Sequence, residues 1–218
     1  MDILLLFSPH FGILNAPLAS NGRIIRHQQK KRSEVMDIWK ELQDEGIDPS
    51  LLEEIQHFRA AHPVPPEGAA RIPAPQCLYY GKEVWESAAA ALLCGQHLLL
   101  AGPKATGKNV LAENLAAVFG RPVWDVSMYV NVDAAALIGA DTLQKGEVVF
   151  REGPICRCAR LGGFGVLDEV NMAKNEALAV LHATLDHRRV IDVPGYERIT
   201  LDDATRFIGT MNYGYAGT

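Results

Sequence analysis

The stretch Leu98 to Phe119, LLLAGPKATGKNVLAENLAAVF, constrains this chain more than any other. A short apolar strand runs into a glycine-bounded loop, and the loop into a helix whose apolar stripe is Leu111, Leu115 and Val118. Inside it Gly102, Pro103, Lys104, Ala105, Thr106, Gly107 and Lys108 spell GxxxxGK, the phosphate-binding loop. Glycines let the backbone fold round a polyphosphate, so that its N–H groups and the positive end of the following helix point at one anion. Lys108 adds a mobile positive charge for the outer phosphates. The strand before and the helix after are the surroundings the motif requires, and they set it apart from a plain glycine turn. One position departs from the pattern: Asn109 follows Lys108, where Ser or Thr normally offers a hydroxyl to magnesium. An Asn carbonyl oxygen can reach the metal directly or through water, but with a larger, planar amide.

A second motif lies downstream at Phe164 to Asn171, FGVLDEVN, an apolar strand ending in adjacent carboxylates. Successive strand residues point opposite ways, so the two acids take different tasks. Asp168 is placed to hold the water shell of a magnesium ion and Glu169 to reach an attacking water. A third element, Thr205 to Asn212, reads as a strand ending in TMN, with the Asn212 amide available to position water against a terminal phosphate.

The rest of the chain reads as accessory to this core. Its 218 residues are enough for one sizeable domain with an appendage. Residues 1–32 show no clean periodicity and end in a basic run, and are expected to be a leader without regular structure. From Ser33 a helix with Val35, Ile38, Trp39 and Leu42 on one face should stop at Gly46. A second helix should follow, capped by Asp48 with Pro49 in its first turn and Leu51, Leu52, Ile55 and Phe58 apolar. Residues 33–61 thus make a helical hairpin whose seam packs on the main domain, a second copy or a partner. Residues 62–77 hold five of the twelve prolines and read as an extended linker. Residues 78–218 form the nucleotide domain, with hairpins around Lys145-Gly146 and Pro194-Gly195 and a helix carrying Leu178, Leu181 and Leu185, capped by Asn171.

A net charge of −5 argues against a chain that coats nucleic acid. Cys77, Cys94, Cys156 and Cys158 fit no zinc spacing and read as reduced thiols of a cytoplasmic protein. The run Ile3 to Phe7 is too short to span a bilayer, and Asp2 stands where a signal peptide carries positive charge, so no membrane association is expected.

Together GPKATGKN, VLDEVN and GTMN resemble the Walker A, Walker B and sensor 1 elements of the AAA+ ATPases, and most closely the MoxR-type, dynein-related branch. The resemblance covers roughly Leu78 to Thr218. It implies an α/β P-loop NTPase fold, a doubly wound parallel sheet between helices, with ATP at the carboxyl ends of the strands. Carried over residue by residue, Gly102 to Val110 would bind ATP, with Asn109 and Asp168 serving Mg2+, Glu169 the catalytic water and Asn212 the sensor role. The segment before the first strand closes over the base in such proteins, making Tyr79 and Tyr80 candidates to stack on adenine; elsewhere, paired aromatics at a domain entry serve as core.

The family further implies hexameric rings that remodel a protein client, in some members with a partner carrying a von Willebrand A domain. The two hairpins would then face the ring's pore. Its arginine finger, fifth strand and helical lid lie beyond sensor 1, so a chain ending at Thr218 is expected to be a truncated product. Two other functions compete: a switch that binds ATP without turnover, and a P-loop small-molecule kinase, which would need an acceptor pocket and phosphate-clamping arginines.

Overall fold

Parallel strands buried on both faces must be nearly continuous apolar runs, and Leu98–Gly102, Phe164–Asp168 and most of Arg206–Asn212 meet that condition, while Val123–Ser127, at the sheet edge, alternates buried Trp124 and Val126 with exposed Asp125 and Ser127. The computed structural model describes residues 4–7, 12–13, 36–193 and 195–213. In chain order the elements are β1 (Leu4–Phe7), β2 (Gly12–Ile13), α1 (Ile38–Asp44), α2 (Pro49–Ala61), α3 (Pro66–Ala69), α4 (Lys82–Leu93), β3 (Leu98–Gly102), α5 (Lys108–Val118), β4 (Val123–Ser127) and α6 (Ala134–Ile138). They continue with β5 (Gly139–Gln144), β6 (Glu147–Glu152), α7 (Pro154–Arg160), β7 (Phe164–Asp168), a 3₁₀ turn (Val170–Met172), α8 (Asn175–Ala179), α9 (His182–Leu185), β8 (Val190–Val193), β9 (Glu197–Thr200) and β10 (Arg206–Asn212).

The main sheet has the order β2-β1-β3-β10-β7-β4. Its four strands β3, β10, β7 and β4 are parallel, β1 pairs antiparallel with β3, and β2 pairs antiparallel with β1 at the edge. This is the α/β P-loop NTPase sheet expected from the sequence. Neighbouring strand residues feed opposite layers: Val166 and Ile208 enter one core with Trp85, Leu111, Leu115 and Phe119, while Leu167 and Phe207 enter another with Trp124, Ile155 and Ile191. The register sets Asn212 beside Gly102 and Ser127 beside Asp168, so the carboxyl ends of all four strands share one edge of the sheet.

The helical hairpin packs on the main domain. Its buried Leu42, Leu52 and Ile55 join the layer formed by α4 and α5. Asp48 accepts from Ser50 N–H (2.8 Å) as the cap of α2, and its own N–H donates to Glu86 on α4 (2.9 Å). Arg59 donates to the Val118 carbonyl at the last turn of α5 (3.1 Å), where a cation also meets the negative end of the helix.

Several boundaries differ from the sequence reading. α1 begins at Ile38 behind an Asp37 cap, because Asp37 accepts from Trp39 and Lys40 N–H and competes with any earlier start; residues 33–35 lie outside the described residues. Within the leader, Leu4–Phe7 and Gly12–Ile13 are strands, since the edge of β3 offers unpaired backbone groups to an apolar run; the remainder of 1–32 lies outside the described residues. The proline-rich segment is not wholly extended, as Pro65 and Pro66 start the short α3. The stripe of Leu178, Leu181 and Leu185 is split between α8 and α9, and Asn171 sits in the 3₁₀ turn while Lys174 takes the N-cap position of α8. Both hairpins form, and the first turns through Lys145 (φ 53°) and Gly146 (φ 88°), the positive pair a two-residue hairpin requires.

Candidate nucleotide site

β3 delivers Gly102 at the sheet edge and α5 begins at Lys108, leaving five residues to reverse the chain. Two of them lie in the left-handed region, Ala105 (φ 63°) and Gly107 (φ 82°), and such turns direct backbone N–H groups into a concavity. For Ala105 that conformation costs about 1–2 kcal/mol, which the surrounding fold has to supply. Gly107 is under a second constraint: a Cβ there would stand 3.2 Å from the Tyr79 ring. Tyr79 is therefore the aromatic that lies against the phosphate loop, whereas Tyr80 is 37% exposed beside it.

Lys108 is buried and gathers oxygens. Its Nζ donates to the carbonyls of Pro103 (2.7 Å) and Gly102 (3.2 Å), to Asn212 Oδ1 (2.9 Å) and to Thr106 Oγ1 (3.4 Å). Burial lowers its pKa, and the nearby charges of Asp168 and Glu169 oppose that shift. The ammonium of the loop and the acids of β7 therefore share one site although sixty positions separate Lys108 from Asp168 in the chain.

The acidic pair is held from β10. Thr210 donates its hydroxyl to Asp168 Oδ1 (2.5 Å), and Glu169 N–H donates back to the same hydroxyl oxygen (3.1 Å). Glu169 is itself left-handed (φ 57°), which turns its side chain out of the strand direction and toward Asn212, whose Nδ2 donates to Glu169 Oε1 (3.0 Å). Lys108, Asn212 and Glu169 thus form one hydrogen-bonded line across the carboxyl ends of β3, β10 and β7. This carboxyl edge, where the chain leaves β3 in one direction and returns through β10 beside it, is where open α/β sheets bind ligands.

Among the described residues no group of three or more His, Cys, Asp or Glu could hold a metal ion by itself. Asp168 with one oxygen engaged by Thr210 fits magnesium in its usual form, one or two protein oxygens completed by phosphates and water. Asn109 lies exposed in the first turn of α5 and supplies a neutral oxygen donor.

Two functional side chains escaped the motif reading. Thr210 carries the hydroxyl just described. Asn114 is fully buried on α5, and its amide clasps the strap ahead of the loop: Tyr79 N–H donates to Oδ1 (2.8 Å) and Nδ2 donates to the Cys77 carbonyl (2.9 Å). The Trp85 indole holds the same strap through the Tyr79 carbonyl (2.8 Å). Asn114 had a readable signal, a polar residue inside the Leu111, Leu115, Val118 stripe, because a buried amide has to find partners.

A parallel sheet between helices, with a phosphate loop facing an acidic strand end, defines a P-loop NTPase. Residues 97–218 match the AAA domain (dynein-related subfamily), and the chain belongs to that family. It is 38% identical over 133 residues to the uncharacterized protein YojN of Bacillus subtilis, an alignment covering 59% of this chain and 44% of YojN. It is 37% identical over 142 residues to the uncharacterized protein SERP0979 of Staphylococcus epidermidis, covering 62% and 54%. The chain thus spans about half the length of the curated relatives it matches. A solved structure from Cytophaga hutchinsonii, ascribed to an ATPase, superposes with a TM-score of 0.50 at 15% identity over 81% of this chain and 48% of that one, a likeness of fold. No helix among the described residues is long and apolar enough to cross a membrane.

Proposed function

We propose that the protein binds and hydrolyses Mg-ATP and uses the cycle to remodel a protein client, as a MoxR-type AAA+ ATPase. The observation that carries this reading is the line Lys108, Asn212, Glu169, which places a phosphate-seeking cation, an amide and a carboxylate within one set of hydrogen bonds. The loop amides and Lys108 bind and orient the triphosphate. Asp168 and Asn109 would hold a magnesium ion, which when bound would supply positive charge against the outer phosphates. Glu169 orients a water for in-line attack and accepts its proton, while the Asn212 amide, able to donate and accept, fixes that water relative to the terminal phosphate.

Client contact is assigned to the hairpins. Leu143 (75% exposed) and Val148 (65%) face each other across the tip of β5 and β6, and Tyr196 (49%) marks the turn between β8 and β9. Such apolar side chains on projecting hairpins suit a protein surface better than a small molecule. Arg160 of α7 bonds Glu152 of β6 (2.6 Å) and Glu197 of β9, and the Tyr196 hydroxyl donates to Asp141 (2.5 Å), so the two hairpins are tied to each other. A ring of six copies and a partner with a von Willebrand A domain complete the proposal.

The test separates binding from turnover. Glu169→Gln is expected to retain ATP affinity within about threefold while hydrolysis falls by about a hundredfold or more. Lys108→Ala is expected to weaken binding itself. Equal loss of affinity in both variants, by titration with a fluorescent ATP analogue, overturns the assignment.

A further inference from the structure

We propose that Thr210 is a positioning residue for hydrolysis, one hydroxyl that sets both the carboxylate of Asp168 and the backbone turn of Glu169. The inference rests on the Mg-ATP reading above and gives it a residue outside the three motifs' expected roles. Thr210 lies on β10, the strand between the phosphate-loop strand β3 and the acidic strand β7, and is 1% exposed. From there its hydroxyl reaches across to the end of β7.

A hydroxyl has one proton to give and lone pairs to accept with. The proton goes to Asp168 Oδ1 at 2.5 Å, and a lone pair takes Glu169 N–H at 3.1 Å. The first bond engages Oδ1 and fixes the rotation of the carboxylate, leaving its remaining lone pairs set in one direction for a cation. The second bond ties down Glu169 in a left-handed conformation (φ 57°, ψ 48°) that a residue with a Cβ adopts only when its surroundings hold it. That conformation is what brings Glu169 Oε1 to the Asn212 amide at 3.0 Å. Both acids, the one for the cation and the one for the water, therefore take their orientation from a single side chain on a neighbouring strand. A strand interior suits this task, because groups held on regular elements are placed more precisely than groups on loops.

The chemistry singles out the substitutions. Valine matches threonine in shape and has no hydroxyl, while serine keeps the hydroxyl and loses a methyl group. In the full chain, Thr210→Val is expected to raise the Mg2+ concentration needed for half-maximal tight binding of a fluorescent ATP analogue by about tenfold, the worth of one charge-assisted hydrogen bond. Binding measured without Mg2+ should stay within about twofold, and hydrolysis at saturating Mg2+ should fall by about tenfold or more. Thr210→Ser should recover both the Mg2+ dependence and the rate.

A side chain that served packing alone would leave the Mg2+ titration unmoved, and serine would not rescue. A Thr210→Val protein with wild-type Mg2+ dependence, or a serine variant no better than valine, overturns the proposal. Should valine prevent folding, Thr210→Ala against Thr210→Ser decides the same point, with equal Mg2+ titrations overturning it. If the wild-type chain binds no nucleotide, the Mg-ATP reading itself falls and this inference with it. If it binds without turnover, the Mg2+ titration alone still decides the role of Thr210.

Discussion

Replacing Asn114 tests how the strap ahead of the phosphate loop is attached to α5. The side chain is fully buried, and both halves of its amide are used, one on Tyr79 N–H at 2.8 Å and one on the Cys77 carbonyl at 2.9 Å. Asn114→Leu fills nearly the same volume but leaves a backbone donor and acceptor of the half-buried strap without their partner. Each unsatisfied group costs about 1–3 kcal/mol, so the variant should lose about 2–5 kcal/mol, a large share of a domain stability of about 5–15 kcal/mol. For a chain of this size that corresponds to a fall in melting temperature of about 5–15 °C, read by circular dichroism or differential scanning calorimetry. Because Tyr79 rests on Gly107, loosening the strap should also weaken binding of an ATP analogue. A leucine variant melting within about 1 °C of wild type would refute the account, since it would mean that water or another group satisfies the strap without the amide.

Two further outcomes follow from single positions. Gly107→Ala places a Cβ at φ +82° and 3.2 Å from the Tyr79 ring, and is expected to weaken ATP-analogue binding by about five- to twentyfold by isothermal titration; unchanged affinity would mean the loop does not need this turn. His97 is held neutral inside the sheet, where Nδ1 accepts Phe207 N–H at 3.0 Å, and burial, with Arg189 and Arg206 nearby, pushes its pKa down to about 3. The unfolded chain protonates this group near its ordinary value of about 6.5, so its contribution is complete above that pH and falls as pH drops toward about 3. Between pH 7.5 and pH 5 the loss is about 2 kcal/mol from this group, and His97→Gln should remove it. Urea midpoints with the same pH dependence in both proteins would contradict this.

Much of the site could be read along the chain because its parts are local. The phosphate loop needs its glycines and lysine consecutive, and a strand that ends in two acids announces itself by the break from apolar to charged. Asp48 and Pro49 marked a helix start for the same reason: caps act on their own first turn. Boundaries failed where a competing local bond or a distant edge intervened. Asp37 captured the first turn of α1, and Leu4–Phe7 became a strand only because β3 offered it an edge.

Thr210 marks the limit of such reading. As a threonine in a buried strand it looks like any β-branched filler, and nothing in GTMN says which hydroxyl will meet which acid. The two candidate tyrosines show the same limit, since only packing places Tyr79 against Gly107 and leaves Tyr80 outward.

By itself the sequence determined the identity of the chemical groups: a loop built to hold phosphates, an acidic strand end and an amide-tipped strand, each encoded by residues adjacent in the chain. Tertiary structure decided their company. The strand order β3-β10-β7 inserts the last of these strands between the other two, so Asn212 and Thr210 bridge elements that the chain itself keeps far apart. Parallel pairing is the physical reason: it aligns every carboxyl end on one edge of the sheet, and strand register, a property of the folded sheet, then fixes which side chains touch.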